Sequence, residues 1–387
     1  MNIKKTFFYL FTLLTLFSIS CSNSDNIQNS DSGIIISDPN CTQIVNIADE
    51  NFRQKILSST STNSIAANLD GIVIKVDTND DGIIQVCEAE NVSYLKVDNS
   101  NISSMEGVTS FRNLKTLSCR GNQIEGLDVS SLKNLENLYC DNNRIKTLNI
   151  QGLNNFKVLW CYYNQLTSLN LSSLRSLETV EFYYNKISEL NLSNSNNIKD
   201  LRGYNNLITK LSISHLTNLE YLLISYNSLT SLDASNLKKL IDLQCQSNQL
   251  KTLNVSGCIN LFYLTCNHNK LDYLYLDKCA KLNSLQCPSN NLKSLLLDDL
   301  IGLLNLDCSF NTLTTLDIRN SKQLLYFNCY KNSLQSLIIK NGNAFSNYSI
   351  GENPNLSSIC CDQSELADIQ NEIQKLGYNC VANTNCF

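Results

Sequence analysis

A 21-residue repeat constrains the fold of this chain more than any other feature of its sequence. From Leu114 onward the pattern L-x-x-L-x-C-x-x-N-x-L-x-x-L-x-L-S-x-L-x-x recurs in eleven consecutive units, and the ninth position is asparagine in all of them. One unit of this length cannot bury its own leucines, so the units must stack and share a continuous core. The units begin at Leu114, Leu135, Phe156, Leu177, Ile198, Leu219, Leu240, Leu261, Leu282, Leu303 and Leu324.

Each unit predicts one turn of an α/β solenoid that is mostly β. The residues around the fourth to sixth positions form a short strand, which pairs in parallel with the next turn at a spacing of about 4.8 Å. Positions 3, 5, 7 and 8 then face outward on a concave sheet, and the ninth-position amide bonds to the backbone of its own and the next turn. A unit of 21 residues leaves little room for a helix. We therefore expect a right-handed superhelix with a non-helical or 3₁₀ convex side and small helical caps.

The repeat resembles the leucine-rich repeat family over residues 91–361. An irregular unit containing Leu95 and Asn101 precedes the regular units, and a shortened unit containing Phe345 and Asn353 follows them. Within this family the chain looks like an internalin-like surface lipoprotein of bacteria. The resemblance implies a monomeric scaffold that binds a partner through the concave face.

Eight of the 17 cysteines occupy the sixth position of a unit, which points into the core. The same position holds Phe182, Gly203 and Ile224 in other units, so it accepts side chains that neither pair nor bind metal. Cysteine packs well as a small buried hydrophobe, whereas a zinc site needs ligands that converge on one point. We therefore predict reduced core thiols at Cys119, Cys140, Cys161, Cys245, Cys266, Cys287, Cys308 and Cys329.

The first 40 residues predict export. Lys4 and Lys5 precede an apolar run that is too short to cross a bilayer, which is typical of a signal peptide over residues 1–20. The segment that ends at Cys21 resembles a bacterial lipobox, and this resemblance implies a lipid anchor on Cys21; ordinary cleavage and a free Cys21 are the alternative. Residues 21–40 are rich in Ser, Asn and Asp and predict a flexible tether. The predicted location is the outer membrane, at the cell surface, where disulfides are allowed.

A second motif lies in the predicted N-terminal cap, residues 41–90. The stretch DTNDDGIIQVCE fits the EF-hand loop template D-x-[DN]-x-[DN]-G-x5-E, in which Gly82 allows the sharp turn. The segment before the loop reads as extended, so the loop is more similar to single calcium loops of secreted proteins than to paired sensor EF-hands. We predict a structural calcium ion, with an acidic turn without metal as the alternative. The predicted oxygen ligands are Asp77, Asn79, Asp81, the carbonyl of Ile83, Gln85 and Glu88.

The last residues, 362–387, predict a C-terminal cap built on one helix. Asp362 is the predicted N-cap residue and Gly377 the predicted stop. Four cysteines bracket this helix, so a disulfide is expected there. The favoured pair is Cys360 with Cys386, and the pair Cys361 with Cys380 comes next. In the other cap, Cys41 and Cys87 are a further possible pair.

Aromatic residues cluster at outward positions of four neighbouring units. They include the only tryptophan of the chain, and charged residues lie between the rings. Rings offer contact area at low entropy cost, so a clustered patch suits a protein or glycan contact. Tyrosine ladders that only stabilise neighbouring strands are the alternative. The predicted binding residues are Trp160, Tyr162, Tyr163, Glu181, Tyr183, Tyr184, Arg202, Tyr204, Tyr221 and Tyr226.

Three function classes remain open. The first is a cell-surface scaffold that binds proteins, as in adhesion, and the second is a glycan-binding lipoprotein of a nutrient-uptake system. An enzyme is the weakest, because the two histidines, His215 and His268, lie in different units and no catalytic grouping accompanies them. The formal net charge of −5 argues against nucleic acid, which needs a basic face.

Overall fold

The computed structural model of the protein describes residues 41–386. The predicted signal peptide, the predicted lipidation site at Cys21 and the whole predicted tether, residues 21–40, lie outside these residues. The described chain is a mostly β solenoid with few helices, which confirms the predicted fold class. Within residues 41–386, no helix is long and apolar enough to cross a membrane.

One sheet of 14 strands, here called the main sheet, runs along the solenoid with one strand for each turn. Its first pair is antiparallel and all later pairs are parallel, with each strand in register with the strand one unit away. The leucine at the fourth position, such as Leu159, is buried, and its neighbours face outward. The strands are Ala66–Asn68, Val92–Lys96, Thr116–Ser118, Asn137–Tyr139, Val158–Trp160, Thr179–Glu181, Asp200–Arg202, Tyr221–Leu223, Asp242–Gln244, Tyr263–Thr265, Ser284–Gln286, Asn305–Asp307, Tyr326–Asn328 and Asn347–Ser349.

The other side of the solenoid, here called the second side, is non-helical as predicted, but it is built from short strands. Most of these strands have a central apolar residue that points inward between two outward residues, an alternation that suits extended backbone. The single 3₁₀ turn within residues 41–386, Val108–Ser110, lies in the irregular first unit. The strands form four small sheets: Gly126–Asp128 with Thr147–Asn149; Ser168–Asn170 with Glu189–Asn191; Ser231–Asp233, Thr252–Asn254 and Tyr273–Tyr275; and Thr315–Asp317, Ser336–Ile338, Ser358–Cys360 and Val381–Asn383.

The ninth-position asparagines form the predicted ladder. In a typical turn, the Asn206 amide donates to the carbonyl oxygens of Phe182 at 3.1 Å and Gly203 at 3.2 Å. Its Oδ1 accepts a hydrogen bond from the backbone N–H of Ile187 at 2.9 Å. One buried side chain therefore satisfies backbone groups in two turns, and the same pattern repeats in the neighbouring units.

The sixth-position cysteines are fully buried and free, as expected for packed thiols. The sixth position holds Phe182 and then Gly203 in two successive turns, so a large side chain is followed by none. The ring of Phe182 fills the space at the sixth position of the next turn, and a Cβ atom at Gly203 would overlap that ring. The sixth-position side chains therefore fill the core without gaps, and their role is packing, not the binding of a ligand.

The N-terminal cap is joined to the repeats by Asp49. Its carboxylate caps helix α1, Glu50–Leu57, by accepting from the backbone N–H of Phe52 at 2.9 Å. The other oxygen accepts from the backbone N–H groups of Ser103 and Ser104, which belong to the first repeat. The stretch DTNDDGIIQVCE, residues 77–88, is here called the acidic loop, and helix α2, Val86–Glu90, begins within its last residues. A Cys41–Cys87 disulfide ties this helix to the start of the cap.

The C-terminal cap is built on helix α3, Leu366–Leu376, which ends at Gly377 with a left-handed φ of 68°. The prediction that Asp362 is its N-cap is wrong, because Asp362 Oδ2 accepts from the backbone N–H of Gly342 and the helix begins only at Leu366. Cys360 and Cys386 form a disulfide. The alternative pair is not formed, since Cys361 and Cys380 are both free thiols.

Candidate functional site

The main sheet carries two rows of stacked tyrosines. The first row comes from the seventh position, where Tyr183 lies between Tyr162 and Tyr204. Both pairs have ring centroids 4.4 Å apart and interplanar angles of 7° and 6°. Burial raises the pKa of Tyr204 to about 12, so its hydroxyl group stays protonated and can donate a hydrogen bond.

The second row comes from the eighth position and lies beside the first. Tyr163 and Tyr184 stack at 4.6 Å, and each meets a ring of the first row edge to face. The repeat pattern predicts that the eighth position lies on the outward face of the strand, but Tyr163 and Tyr184 have left-handed φ values of 50° and 52°. They therefore lie in the turn that leaves the strand, where asparagine is the more usual residue.

Trp160 adjoins these rows and joins them to a polar network. Tyr139 meets the Trp160 ring edge to face at 4.9 Å, and the Arg120 guanidinium lies 5.2 Å from its centroid. Arg120 also pairs with buried Asp141 at 2.9 Å and donates to the Tyr162 hydroxyl at 2.8 Å. Tyr139 and Arg120 are not among the predicted binding residues, although both occupy outward positions of the two units before Trp160.

The aromatic patch is defined by these contacts as Tyr139, Trp160, Tyr162, Tyr163, Tyr183, Tyr184 and Tyr204. The other two predicted tyrosines are not part of it. Tyr226 is 52% exposed and Tyr221 is half-buried, and among the described residues neither makes a ring contact with the patch. The patch is therefore centred on the turns that contain Trp160 and Tyr183.

The predicted charged residues lie on the strands beside Trp160. Strand pairing places Glu181 directly between Trp160 and Arg202. The Arg202 guanidinium is held by Asp200, at 2.7 Å, on its own strand. Burial raises the pKa of the Glu181 carboxyl, and the nearby Arg202 only partly opposes this effect. Glu181 is therefore a half-buried carboxyl group whose nearest base is already paired.

The acidic loop of the N-terminal cap has the turn geometry that the sequence predicts. Gly82 and Asp80 have left-handed φ values of 76° and 64°. The Asp77 Oδ2 atom accepts from the backbone N–H of Gly82 at 3.1 Å, and Asp81 Oδ2 accepts from the Asn79 and Gln85 amides. The loop thus buries the side chains of Asp77 and Gln85 and leaves those of Asn79 and Asp81 exposed, joined to each other by a hydrogen bond.

Two oxygens in this loop are buried without a hydrogen-bond partner, Asp77 Oδ1 and Gln85 Oε1. Buried unpaired oxygens are costly, and calcium prefers oxygen ligands of this kind. Glu88 differs, because its carboxylate accepts from Thr78 at 2.6 Å and from the Gln85 backbone N–H at 3.0 Å. These oxygen ligands fit calcium. Glu88 would bind the ion with the carboxylate oxygens that now accept hydrogen bonds from Thr78 and Gln85.

The two histidines of the chain lie in different units of residues 41–386. Within this range, no three His, Cys, Asp or Glu side chains already converge as a metal site, and this includes the acidic loop. The ring of His215 bonds to the carbonyl oxygen of Leu192 at 3.0 Å on the second side, whereas His268 lies in a left-handed turn of another unit.

Comparisons with known proteins agree with the fold. Residues 112–155 match the family described as leucine-rich repeats in two copies. No curated protein matches the sequence. The functional domain of InlJ from Listeria monocytogenes, which includes a cysteine ladder, is similar in structure with a TM-score of 0.64 and 25% identity, over 82% of this chain and 75% of that one.

Two further solved structures share the fold at lower identity. YopM, a leucine-rich effector protein from Yersinia pestis, has a TM-score of 0.55 and 21% identity, over 70% of this chain and 77% of that one. The plant peptide hormone receptor RGFR1, in complex with RGF2, has a TM-score of 0.53 and 20% identity, over 65% of this chain and 48% of that one. The chain is thus built as a leucine-rich repeat solenoid.

Proposed function

We propose that this protein is a lipid-anchored, cell-surface scaffold that binds a protein partner through the aromatic patch on the main sheet. The observation that carries the proposal is the pair of stacked tyrosine rows beside Trp160. Exposed aromatic area of this kind is enriched at protein interfaces. Solenoids with the same fold include a receptor in complex with its peptide hormone, which supports a protein ligand for this chain as well.

The way the rings stack favours a protein ligand over a glycan. Sugars pack their C–H groups on the face of an aromatic ring, where the electron density is negative. In the first row, neighbouring rings lie 4.4 Å apart and cover both faces of Tyr183. What remains for a partner is ring edges and hydroxyl groups, which suit the mixed polar and apolar surface of a protein.

Two features suggest that the rows do more than stabilise the sheet. Tyr163 and Tyr184 are 47% and 43% exposed in a left-handed turn, a backbone position that disfavours large side chains. The indole Nε1 of Trp160 is buried without a hydrogen-bond partner. An unpaired buried N–H costs stability, so a tryptophan is not the residue that sheet stability alone would favour at this position.

Trp160→Ala and Tyr183→Ala are each expected to weaken partner capture by about 1–3 kcal/mol. The measurement is capture of extracellular proteins by the immobilised mature chain, followed by identification of the partner and titration with the purified partner. Tyr273→Ala is the matched control, because Tyr273 is an exposed tyrosine on the second side. A glycan array probed with the same proteins tests the nutrient-uptake alternative.

Stability measurements separate a binding role from a structural one. Leu159→Ala removes a fully buried core side chain and should cost about 2–5 kcal/mol of unfolding free energy. Trp160→Ala and Tyr183→Ala should cost less. If they instead reduce stability strongly and leave capture unchanged, the rows are a structural tyrosine ladder only, and the binding surface lies elsewhere.

The acidic loop is proposed to hold a structural calcium ion. Asp77, Asn79, Asp81, Gln85 and Glu88 would supply side-chain oxygens, and Ile83 its carbonyl oxygen. When bound, the ion neutralises the clustered carboxylates and fixes the loop between the extended segment before it and helix α2. Together with the Cys41–Cys87 disulfide, it would hold the cap against the first repeat.

Calcium at millimolar concentration is expected to raise the melting temperature of the mature protein, because the ion binds only the folded loop. Asp77→Ala should abolish this increase, whereas Asp70→Ala, which removes a carboxylate outside the loop template, should not. Thermal unfolding with and without calcium measures both effects. Calorimetry that detects no binding at millimolar calcium would show that the loop is a metal-free turn.

A further inference from the structure

We infer that the partner presents basic side chains to the main sheet, opposite Glu181 and Asp242. This inference deepens the proposed function and rests on it. The charges that support it lie at the outward third, fifth and seventh positions of the repeat units on the main sheet. Six carboxylates and three basic groups occupy these positions, so the face is net negative. The carboxylates are Asp98, Asp141, Glu181, Asp200, Asp242 and Asp307, and the bases are Lys96, Arg120 and Arg202.

Each of the three basic groups already has a carboxylate partner. Lys96 lies 4.0 Å from Asp98, and the two arginines form shorter pairs with Asp141 and Asp200. Three carboxylates therefore remain without a base. Of these three, Asp307 has the best satisfied carboxylate, because it accepts hydrogen bonds from the N–H and hydroxyl groups of Ser309.

Glu181 and Asp242 are the two that are poorly satisfied. Among the described residues, the Glu181 carboxylate accepts no side-chain or backbone hydrogen bond, and burial raises its pKa. Asp242 accepts one bond from the Gln244 amide at 3.0 Å, but its Oδ1 atom is buried without a partner. Burial raises the pKa of Asp242 as well. Both groups make the folded chain less stable in their charged form.

The geometry suggests two contact points on one partner segment. Glu181 and Asp242 lie on strands separated by the two strands that contain Arg202 and Leu223. At about 4.8 Å for each strand step, the two strands are about 14 Å apart. Asp242 lies two residues along its strand from Gln244, which is aligned with Glu181, so the two residues are about 16 Å apart on the sheet. Glu181 also lies beside Trp160, at the border of the aromatic patch. A segment lying on the patch would therefore extend over both carboxylates.

Charge complementarity selects the chemistry of this segment. A lysine or arginine side chain placed opposite each half-buried carboxylate would stabilise its charged form. A neutral segment would bury both carboxylates further without compensation. An anionic segment would meet a face whose bases are already paired and whose net charge has the same sign.

The test uses a random-peptide display library selected on the immobilised wild-type chain and on a Glu181→Gln, Asp242→Asn double variant. Both substitutions keep the size of the side chain and remove its charge. Glu189→Gln is the matched control, because Glu189 is an exposed glutamate on the second side without an ion-pair partner among the described residues. Selected peptides are then synthesised and titrated by calorimetry at two salt concentrations.

We expect wild-type selections to be enriched in lysine and arginine, and the double variant to bind these peptides roughly tenfold to hundredfold more weakly. The control variant should bind as the wild type does, and added salt should weaken binding. Thermal unfolding should show the double variant to be at least as stable as the wild type, so lost binding would not reflect unfolding.

The outcomes separate this inference from the proposed function. Enriched peptides that depend on Trp160 but lack basic residues, or that bind the double variant equally well, would overturn the inference and leave the aromatic patch as a binding surface. Selections in which no peptide is enriched over Trp160→Ala would overturn both.

Discussion

Asn206→Leu is expected to destabilise the solenoid by about 2–5 kcal/mol, because it leaves the buried N–H of Ile187 without a partner and removes one of the two hydrogen bonds at the carbonyl oxygens of Phe182 and Gly203. The Asn206 side chain is 6% exposed and bonds to the backbone of Phe182, Gly203 and Ile187. Leucine has a similar volume, so the loss would come from hydrogen bonding and not from a cavity. Denaturant unfolding followed by circular dichroism measures the change in free energy.

Asn205→Gly is the matched control for this variant. Asn205 is the adjacent residue and has a left-handed φ of 55°, which glycine adopts without strain. We expect a change of less than about 1 kcal/mol at this position. If both variants lose stability equally, the asparagine column acts through the turn and not through its buried hydrogen bonds. A loss for Asn206→Leu alone shows that the ladder links one turn to the next.

The repeat period made most of the fold predictable. The leucine of Val158–Trp160 and the equivalent positions point inward because a strand alternates sides, and the asparagine column follows from the need to pair buried backbone groups. The second-side strands were not predicted. Their Thr-Leu-Asn type triplets are too short for a periodic signal, and pairing between turns decides their conformation.

The candidate site was less predictable, because it depends on contacts between units. Trp160 and Tyr183 could be placed on the outward face by position alone. No pattern in the sequence predicts that Tyr163 adopts a left-handed φ and still stacks on Tyr184, or that Arg120 donates to the hydroxyl of Tyr162. The misplaced Asp362 has a similar origin, since a carboxylate that fits a cap motif bonds to a distant backbone N–H instead.

The eight sixth-position thiols are expected to resist a thiol reagent in the folded protein and to react only after denaturation. All eight are fully buried, and burial raises the pKa of Cys266 and Cys329 to about 12. At pH 8 such a thiol is ionised about a thousandfold less often than a free cysteine, and the thiolate is the reactive form. Reagent uptake, followed by mass spectrometry with and without denaturant, counts the protected thiols.

Cys380 is the internal control, because it is the only free cysteine within residues 41–386 that is half-buried and not buried. Partial burial raises the pKa of its thiol to about 11. It should react first, and Cys41, Cys87, Cys360 and Cys386 should react only after reduction. Disulfides between successive sixth-position cysteines would contradict the packing interpretation. Protection of all eight thiols would identify them as core side chains whose role is to fill space. Phe182 has the same role at a sixth position that lacks cysteine.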